Sequence, residues 1–267
     1  GEPNIGGRYS ALSVFGLLPM ACIGVDIEKT LADAVPMEKL CATDSPENPA
    51  IWLASYLYDN LRAGRDKFSL LMPPSKQVFG LWVEQLVAES LGKSGVGILP
   101  NVEVDAGILS DPHEDRCAIL CNMDNNEAFE HARTCVHPDI PVFRLDIPDS
   151  TAMTRYFLIW EYAVAFCGWL MQINPFDQPD VESTKIATRQ ILHNQGGAFE
   201  VPEDVWGKPA FKEFELEKCS YADRIYVSSA LLEKVKDEQA DLDQNAALRL
   251  LFRSIEKGDY FSTCIQD

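Results

Sequence analysis

Lys67-Phe68-Ser69-Leu70-Leu71-Met72-Pro73-Pro74-Ser75 carries the passage from strand to helix on which the fold class rests. Its first six residues read as a short, largely apolar strand. The paired prolines close it, because proline cannot donate to a ladder. Ser75 stands where a side-chain oxygen can cap a helix, and the pattern behind it predicts a helix to about Leu91. The alternation then repeats. A loop rich in glycine and proline spans Gly92 to Pro112, Cys117 to Asn122 reads as a strand, and Glu127 to Cys135 as a helix. Pro141 to Asp146 is the third expected strand and Thr151 to Ile173 the longest expected helix. Strand, helix, strand, helix predicts the α/β class, as a doubly wound parallel sheet in three α/β/α layers. The short, nearly all-apolar strands agree with a sheet covered on both faces. Ligands in such sheets bind beyond the carboxyl ends of the strands, so the helix starts at Ser75 and Asp177 are expected near a common crevice.

Working outward, Ser10 to Cys22 reads as an apolar helix that Pro19 kinks or ends early. Ile27 to Val35 and Asn48 to Arg62 continue in helical period. Downstream, Gly196 to Pro209 is loop-like and Leu231 to Ser254 helical. Asp223 to Val227 and Tyr260 to Ile265 read as short additional strands. The expected organisation is a helical lead-in over 1–65 followed by one sheet domain over 66–267.

The 267 residues suffice for a large core, and 46% hydrophobic with 24% charged side chains is ordinary for a globular enzyme. The net charge of −18, from 23 basic and 41 acidic side chains, argues against nucleic acid or an anionic membrane as partner. No signal peptide is expected, these residues contain no run of about 18 apolar positions, and the eight scattered cysteines read as reduced core residues of a cytoplasmic protein. Cys117 and Cys121, followed by His131, Cys135 and His137, invite a metal reading. On a strand four positions span about 13 Å, too far for both thiolates to reach one ion. No metal site is expected.

The chemistry gathers in three strings. Asn174-Pro175-Phe176-Asp177-Gln178-Pro179-Asp180-Val181-Glu182-Ser183-Thr184-Lys185 reads as a loop turning into a helix, with Asp177 placed to cap and Pro179 at the first helical position. Gln178 and Lys185, about two turns apart, can project to one side and suit a polar, anionic ligand. In Gln85-Leu86-Val87-Ala88-Glu89-Ser90-Leu91-Gly92-Lys93, Gln85 and Glu89 share a helix face. In Ile5-Gly6-Gly7-Arg8-Tyr9-Ser10-Ala11-Leu12-Ser13, an arginine follows two glycines. Read without context, these are a solvated Gln/Glu pair, a surface arginine after a turn and a helix-face lysine.

Together, in this order and spacing from Ile5 to Lys185, the three strings resemble phosphoglucose isomerase. The wording of Pro73-Pro74-Ser75 and Gly258-Asp259-Tyr260 is most similar to the isomerase half of bacterial transaldolase–phosphoglucose isomerase fusions. Asp180 stands where the family usually has glycine. The resemblance implies a sugar-isomerase (SIS-type) domain that interconverts glucose 6-phosphate and fructose 6-phosphate through a cis-enediol, without metal or redox cofactor. It implies Glu89 as the base that moves a proton between carbons 2 and 1, a task for a partly desolvated carboxylate. Arg8 would stabilise the enediolate and Lys185 would help open the sugar ring. Gln85 and Gln178 would hold the phosphate, and Gly6 and Gly7 would let backbone approach substrate. The family's ring-opening histidine falls by position on His113, with His193 a rival; His131 and His137 read as surface or loop residues.

Arg8, Lys93, Lys185 and Arg189 are the candidates for local positive potential within the negative envelope. The resemblance further implies a homodimer in the cytoplasm and a transaldolase domain joined upstream. Nothing like the family's Ser/Thr-rich phosphate cradle precedes Ile5, so the chain is expected to be a fragment holding half of a site. A regulatory SIS domain that binds sugar phosphate without turnover is the alternative, and retention of Glu89, Arg8 and Lys185 together favours the enzyme.

Overall fold

The computed structural model describes residues 5–103, 105–123, 130, 133–146, 153–193, 211–215, 224–228, 249, 252, 253 and 255. The chain forms two compact units, Gly1–Asp180 and Val181–Asp267. The first unit opens with a turn of 3-10 helix, Gly7–Tyr9, and helices α1 (Val14–Cys22), α2 (Ile27–Cys41) and α3 (Pro49–Arg62). Then come β1 (Lys67–Leu71), α4 (Gln77–Leu91), β2 (Leu99–Glu103), β3 (Arg116–Asn122), β4 (Val142–Asp146) and α5 (Met153–Leu170). The four strands form one parallel sheet in the order β2-β1-β3-β4, flanked by helices, which is the α/β class expected from the alternation.

Local chemistry sets the helix boundaries. Ser13 accepts from Phe15 N and Asp26 from Lys29 N, satisfying amides that open α1 and α2. Asn48 caps α3 by accepting from Ala50 N and Ile51 N, while its amide donates to the Cys41 and Thr43 carbonyls and ties α3 back to the end of α2. Pro36 does not stop α2, which runs on to Cys41, a fully buried core residue. Packing there outweighs the lost backbone bond. Pro19 likewise lies inside α1.

Side chains of the two sheet faces alternate along the strands. Phe68, Leu70, Cys117, Ile119 and Cys121 share a core with Leu53 and Leu57 of α3, Val83 and Leu86 of α4, and Ile159, Trp160 and Val164 of α5. On the other face Leu71, Ala118 and Leu120 meet Ala106, Leu109 and Ile140. Each large apolar side chain buried this way contributes about 1.5–3 kcal/mol. Burial pushes the Cys117 thiol up to about 11 and the Cys121 thiol to about 12, which fits their reading as core residues.

Three expectations are corrected. The stretch read as loop from Gly92 to Pro112 contains β2, whose Pro100 hid it. As an edge strand beside β1 it tolerates a residue without a donor. Ser75 does not occupy the cap of α4: residues 74–76 form a 3-10 turn, and Lys76 holds the cap position without a side-chain cap bond. The third correction concerns placement. β1 and β2 are parallel and α4 joins them, so α4 runs back across the sheet for about 22 Å and ends at its amino edge. Lys93, just past that end, touches Asp177. The Asp177 loop therefore lies a helix length from Ser75, and the two do not share a crevice.

In the second unit, α6 (Pro179–His193, its first two residues in the first unit) precedes an antiparallel pair, β5 (Phe211–Glu215) and β6 (Arg224–Ser228). The strand expected at Asp223 to Val227 corresponds to β6. The strand expected at Tyr260 to Ile265, and most of the helices expected at Glu127 to Cys135 and Leu231 to Ser254, lie outside the described residues.

Candidate active site

At its carboxyl end α5 stops and the chain turns back on it. Ile173 N donates to the Gly168 carbonyl, and Gln172 adopts φ of 60°. Asn174 Oδ1 accepts from Phe176 N at 3.0 Å, the local bond that makes Asn-Pro-Phe a tight loop. Gly168 permits the close approach of that loop to α5, since a Cβ there would sit 2.9 Å from Pro175 side-chain atoms. Residues 174–178 thus form a strap whose carbonyls face inward.

Two buried cations from elsewhere in the sequence fill the inner side of the strap. Arg8 is 2% exposed. Its Nη1 donates to Ser90 Oγ at 2.6 Å and the Pro175 carbonyl at 3.1 Å; its Nη2 donates to the Phe176 and Asp177 carbonyls at 3.4 and 3.1 Å. Lys93 Nζ donates to the Asn174 carbonyl at 2.7 Å, the Asp177 carbonyl at 2.8 Å and Asp177 Oδ1 at 2.7 Å. The Asp177 carboxylate, expected as a helix cap, meets Lys93 through Oδ1, and α6 begins two residues later at Pro179. Tyr9 completes the inner wall. Its hydroxyl lies 3.3 Å from Ser90 Oγ and 3.4 Å from the Pro175 carbonyl, and its ring is 5.2 Å from Phe176. Burial pushes the Tyr9 hydroxyl pKa up.

Glu89 lies at the rim of this buried cluster, its side chain 31% exposed. Its Oε2 is 3.3 Å from Arg8 Nε, and its Oε1 accepts from Gln85 Nε2 at 3.1 Å. The Arg8–Glu89 approach is an ion pair without hydrogen-bond geometry, so Arg8 Nε is a buried donor with no hydrogen-bond partner. Four N–H groups of the fork are spent on protein acceptors, and the fifth faces the carboxylate. Gly6 lies beside Gln178, where a Cβ would sit 3.0 Å from Gln178 Nε2. Over Gly7 there is open space.

The structure therefore brings together five of the residues singled out from sequence: Arg8, Gln85, Glu89, Gly6 and Gln178. Lys185 and Arg189 are on α6 in the second unit, with exposed side chains. His113 is half-buried, and its Nε2 lies 3.0 Å from the Ile108 carbonyl, within its own loop. His137 pairs with Asp139, His193 ends α6, and His131 lies outside the described residues. Ser90 and Tyr9 were missed as site residues, and Lys93 was read only as a source of positive potential. The signal available was their adjacency to Glu89 and Arg8, but which backbone oxygens they would meet is not written in any spacing.

The fold is a parallel α/β sheet flanked by helices, shared with two solved structures. A glucose-6-phosphate isomerase structure from Chlamydia trachomatis superposes with a TM-score of 0.60 at 18% identity, over 74% of this chain and 48% of that one. A Thermus thermophilus hypothetical protein gives 0.58 at 23% identity, over 70% and 55%. No family model matches the chain. By sequence it is a distant homologue of glucose-6-phosphate isomerases. It is 32% identical to that of Methanocaldococcus jannaschii over 68% of this chain and 55% of the relative. It is 30% identical to that of Limosilactobacillus reuteri over 83% and 55%. With the probable glucose-6-phosphate isomerase of Methanococcus maripaludis the identity is 30% over 71% and 51%. The chain spans about half the length of the curated relatives it matches. Among the described residues, no helix is long and apolar enough to cross a membrane.

Proposed function

We propose that this chain supplies the glutamate–arginine part of a glucose-6-phosphate isomerase site. The reaction interconverts glucose 6-phosphate and fructose 6-phosphate through a cis-enediol. The observation that carries the reading is the convergence of Glu89, Gln85, Arg8 and Gln178 from three separate parts of the sequence at the end of one helix. Glu89, half in solvent and half against Arg8, is placed to take a proton from carbon 2 of a sugar and return it to carbon 1. The negative charge that develops on the enediolate oxygens then meets the Arg8 guanidinium. The Nη groups are occupied and Nε is buried, so Arg8 acts on the enediolate through its fixed charge beside Glu89. Gln85 and Gln178 serve as neutral donors to the phosphate. Lys185 takes part in ring opening and His113 is the histidine that assists it. Neither metal nor redox cofactor enters these steps.

The wider reading keeps the division into a lead-in over 1–65 and a sheet domain over 66–267. It includes an upstream transaldolase domain, a cytoplasmic homodimer and a sugar phosphate as the partner. Isomerase activity measured on the full-length protein and on Glu89→Gln tests the proposal. The variant should turn over about 10²–10⁴-fold more slowly, the range for loss of a general base, with KM little changed. Activity within about threefold of the parent would overturn the role of Glu89.

A further inference from the structure

Lys93 is the most confined ammonium of the site, its side chain 6% exposed. An ammonium has three protons, and Lys93 meets three acceptors at 2.7–2.8 Å, all within Asn174–Asp177. No proton is left for a substrate phosphate. Lys93 follows Gly92, immediately beyond the carboxyl end of α4 and four residues from Glu89, where the free helix carbonyls also favour a cation. The strap it grips presents the Pro175, Phe176 and Asp177 carbonyls to Arg8 and continues into Gln178. One side chain therefore bridges the helix that carries the carboxylate and the loop that orients the arginine.

We propose that Lys93 is a positioning residue: by tethering residues 174–177 to the end of α4, it fixes Arg8 and Gln178 relative to Glu89. The roles of those three residues rest on the proposed isomerase reading; the tether itself does not. Among the described residues, the other hydrogen bonds that link the strap to α4 run through Arg8 and Tyr9. Loosening then reaches Gln178, hence substrate affinity, and the Arg8 fork, hence turnover. Asp177 is the natural second probe, since its carboxylate accounts for one of the three bonds while its carbonyl is backbone.

The test compares Lys93→Met, Asp177→Asn and the double variant in the full-length protein, by hydrogen exchange and by kinetics with fructose 6-phosphate. Lys93→Met should speed amide exchange in 174–178 roughly tenfold or more, with strands β1 and β3 unchanged. It should lower kcat about tenfold and raise KM several-fold, and Asp177→Asn should do the same to a smaller degree. The double variant should be no worse than Lys93→Met, because both act through one bond set. A parent-like exchange rate at 174–178 in Lys93→Met would overturn the tether, and so would additive losses in the double variant. If Lys93→Met does not fold, Asp177→Asn decides: parent-like exchange and kinetics there overturn the proposal. A parent protein that neither binds nor isomerises fructose 6-phosphate would sink the functional reading, yet the exchange comparison would still decide the tether.

Discussion

Two places in the first unit bury an arginine against a glutamate and a serine, and they differ in one respect. Within the sheet, Arg116 Nη1 donates to Ser69 Oγ at 2.9 Å and Glu103 Oε1 at 3.1 Å, and Ser69 Oγ donates to the same Glu103 oxygen at 2.8 Å. That triangle is closed, and the Glu103 side chain is 14% exposed. At the end of α4, Arg8 spends its Nη groups on Ser90 and backbone carbonyls, and Glu89 is left 3.3 Å from Nε with its outer side in solvent. The same three residue types make a strut in one place and an open carboxylate in the other. What separates them is whether an Nη group of the arginine donates to the acid or to other acceptors. An acid needed for chemistry must not be consumed by its own neighbour.

The largest expected effects come from breaking each centre in turn. Glu89→Gln should abolish most activity, as above, with a smaller loss of stability because the Arg8 Nη groups keep their hydrogen bonds. Arg116→Met should do the reverse. Leaving Glu103 buried and unpaired costs about 3–5 kcal/mol of stability, read from denaturant unfolding, while activity per folded molecule stays within about twofold. If Arg116→Met depressed turnover as much as Glu89→Gln, the distinction between strut and site would be lost.

Arg8→Lys sharpens the comparison at intermediate size. It keeps the charge but cannot span Ser90 Oγ and three carbonyls, nor present an Nε–H beside Glu89. Turnover should fall roughly 10–100-fold and more than affinity does. Equal losses in both would mark Arg8 as a ground-state phosphate contact instead.

The smallest expected effect concerns Glu161 on α5, whose Oε1 is buried without a hydrogen-bond partner and whose charge acts on Tyr9. Burial pushes its carboxyl pKa up to about 7. A folded-state pKa above the unfolded value means the folded protein holds the proton more tightly. The group then subtracts stability as pH rises from about 4.5 to 7, and the loss is complete above that. Glu161→Gln should therefore leave stability at pH 4.5 unchanged and raise it by about 1–3 kcal/mol at pH 8. Melting curves of both proteins at the two pH values check the sign; a variant less stable at pH 8 would show that the ionised carboxylate has a stabilising partner.

The fold was legible because the alternation of short apolar runs and helical period is a local signal, and β1, β3, β4, α3, α4 and α5 all fell where that signal put them. β2 was not, since Pro100 and the surrounding glycines erase the strand pattern in a segment that only pairing with β1 makes extended. The tethering function of Lys93 and the capture of Asp177 were not legible either. Both depend on which carbonyls a folded loop turns inward, and one-dimensional spacing carries no information about that.

Period, residue type and order along the chain were enough for the parallel α/β sheet, the Gln85–Glu89 face and the kinship of the three strings. Folding in three dimensions was needed to bring Arg8 to Ser90 and the strap, and to gather these residues at the amino edge of the sheet. It also decided that Glu89, unlike Glu103, remains open. Those outcomes follow from donors and acceptors far apart in sequence meeting where water is excluded and each must find a partner. Which partner each finds is settled by packing.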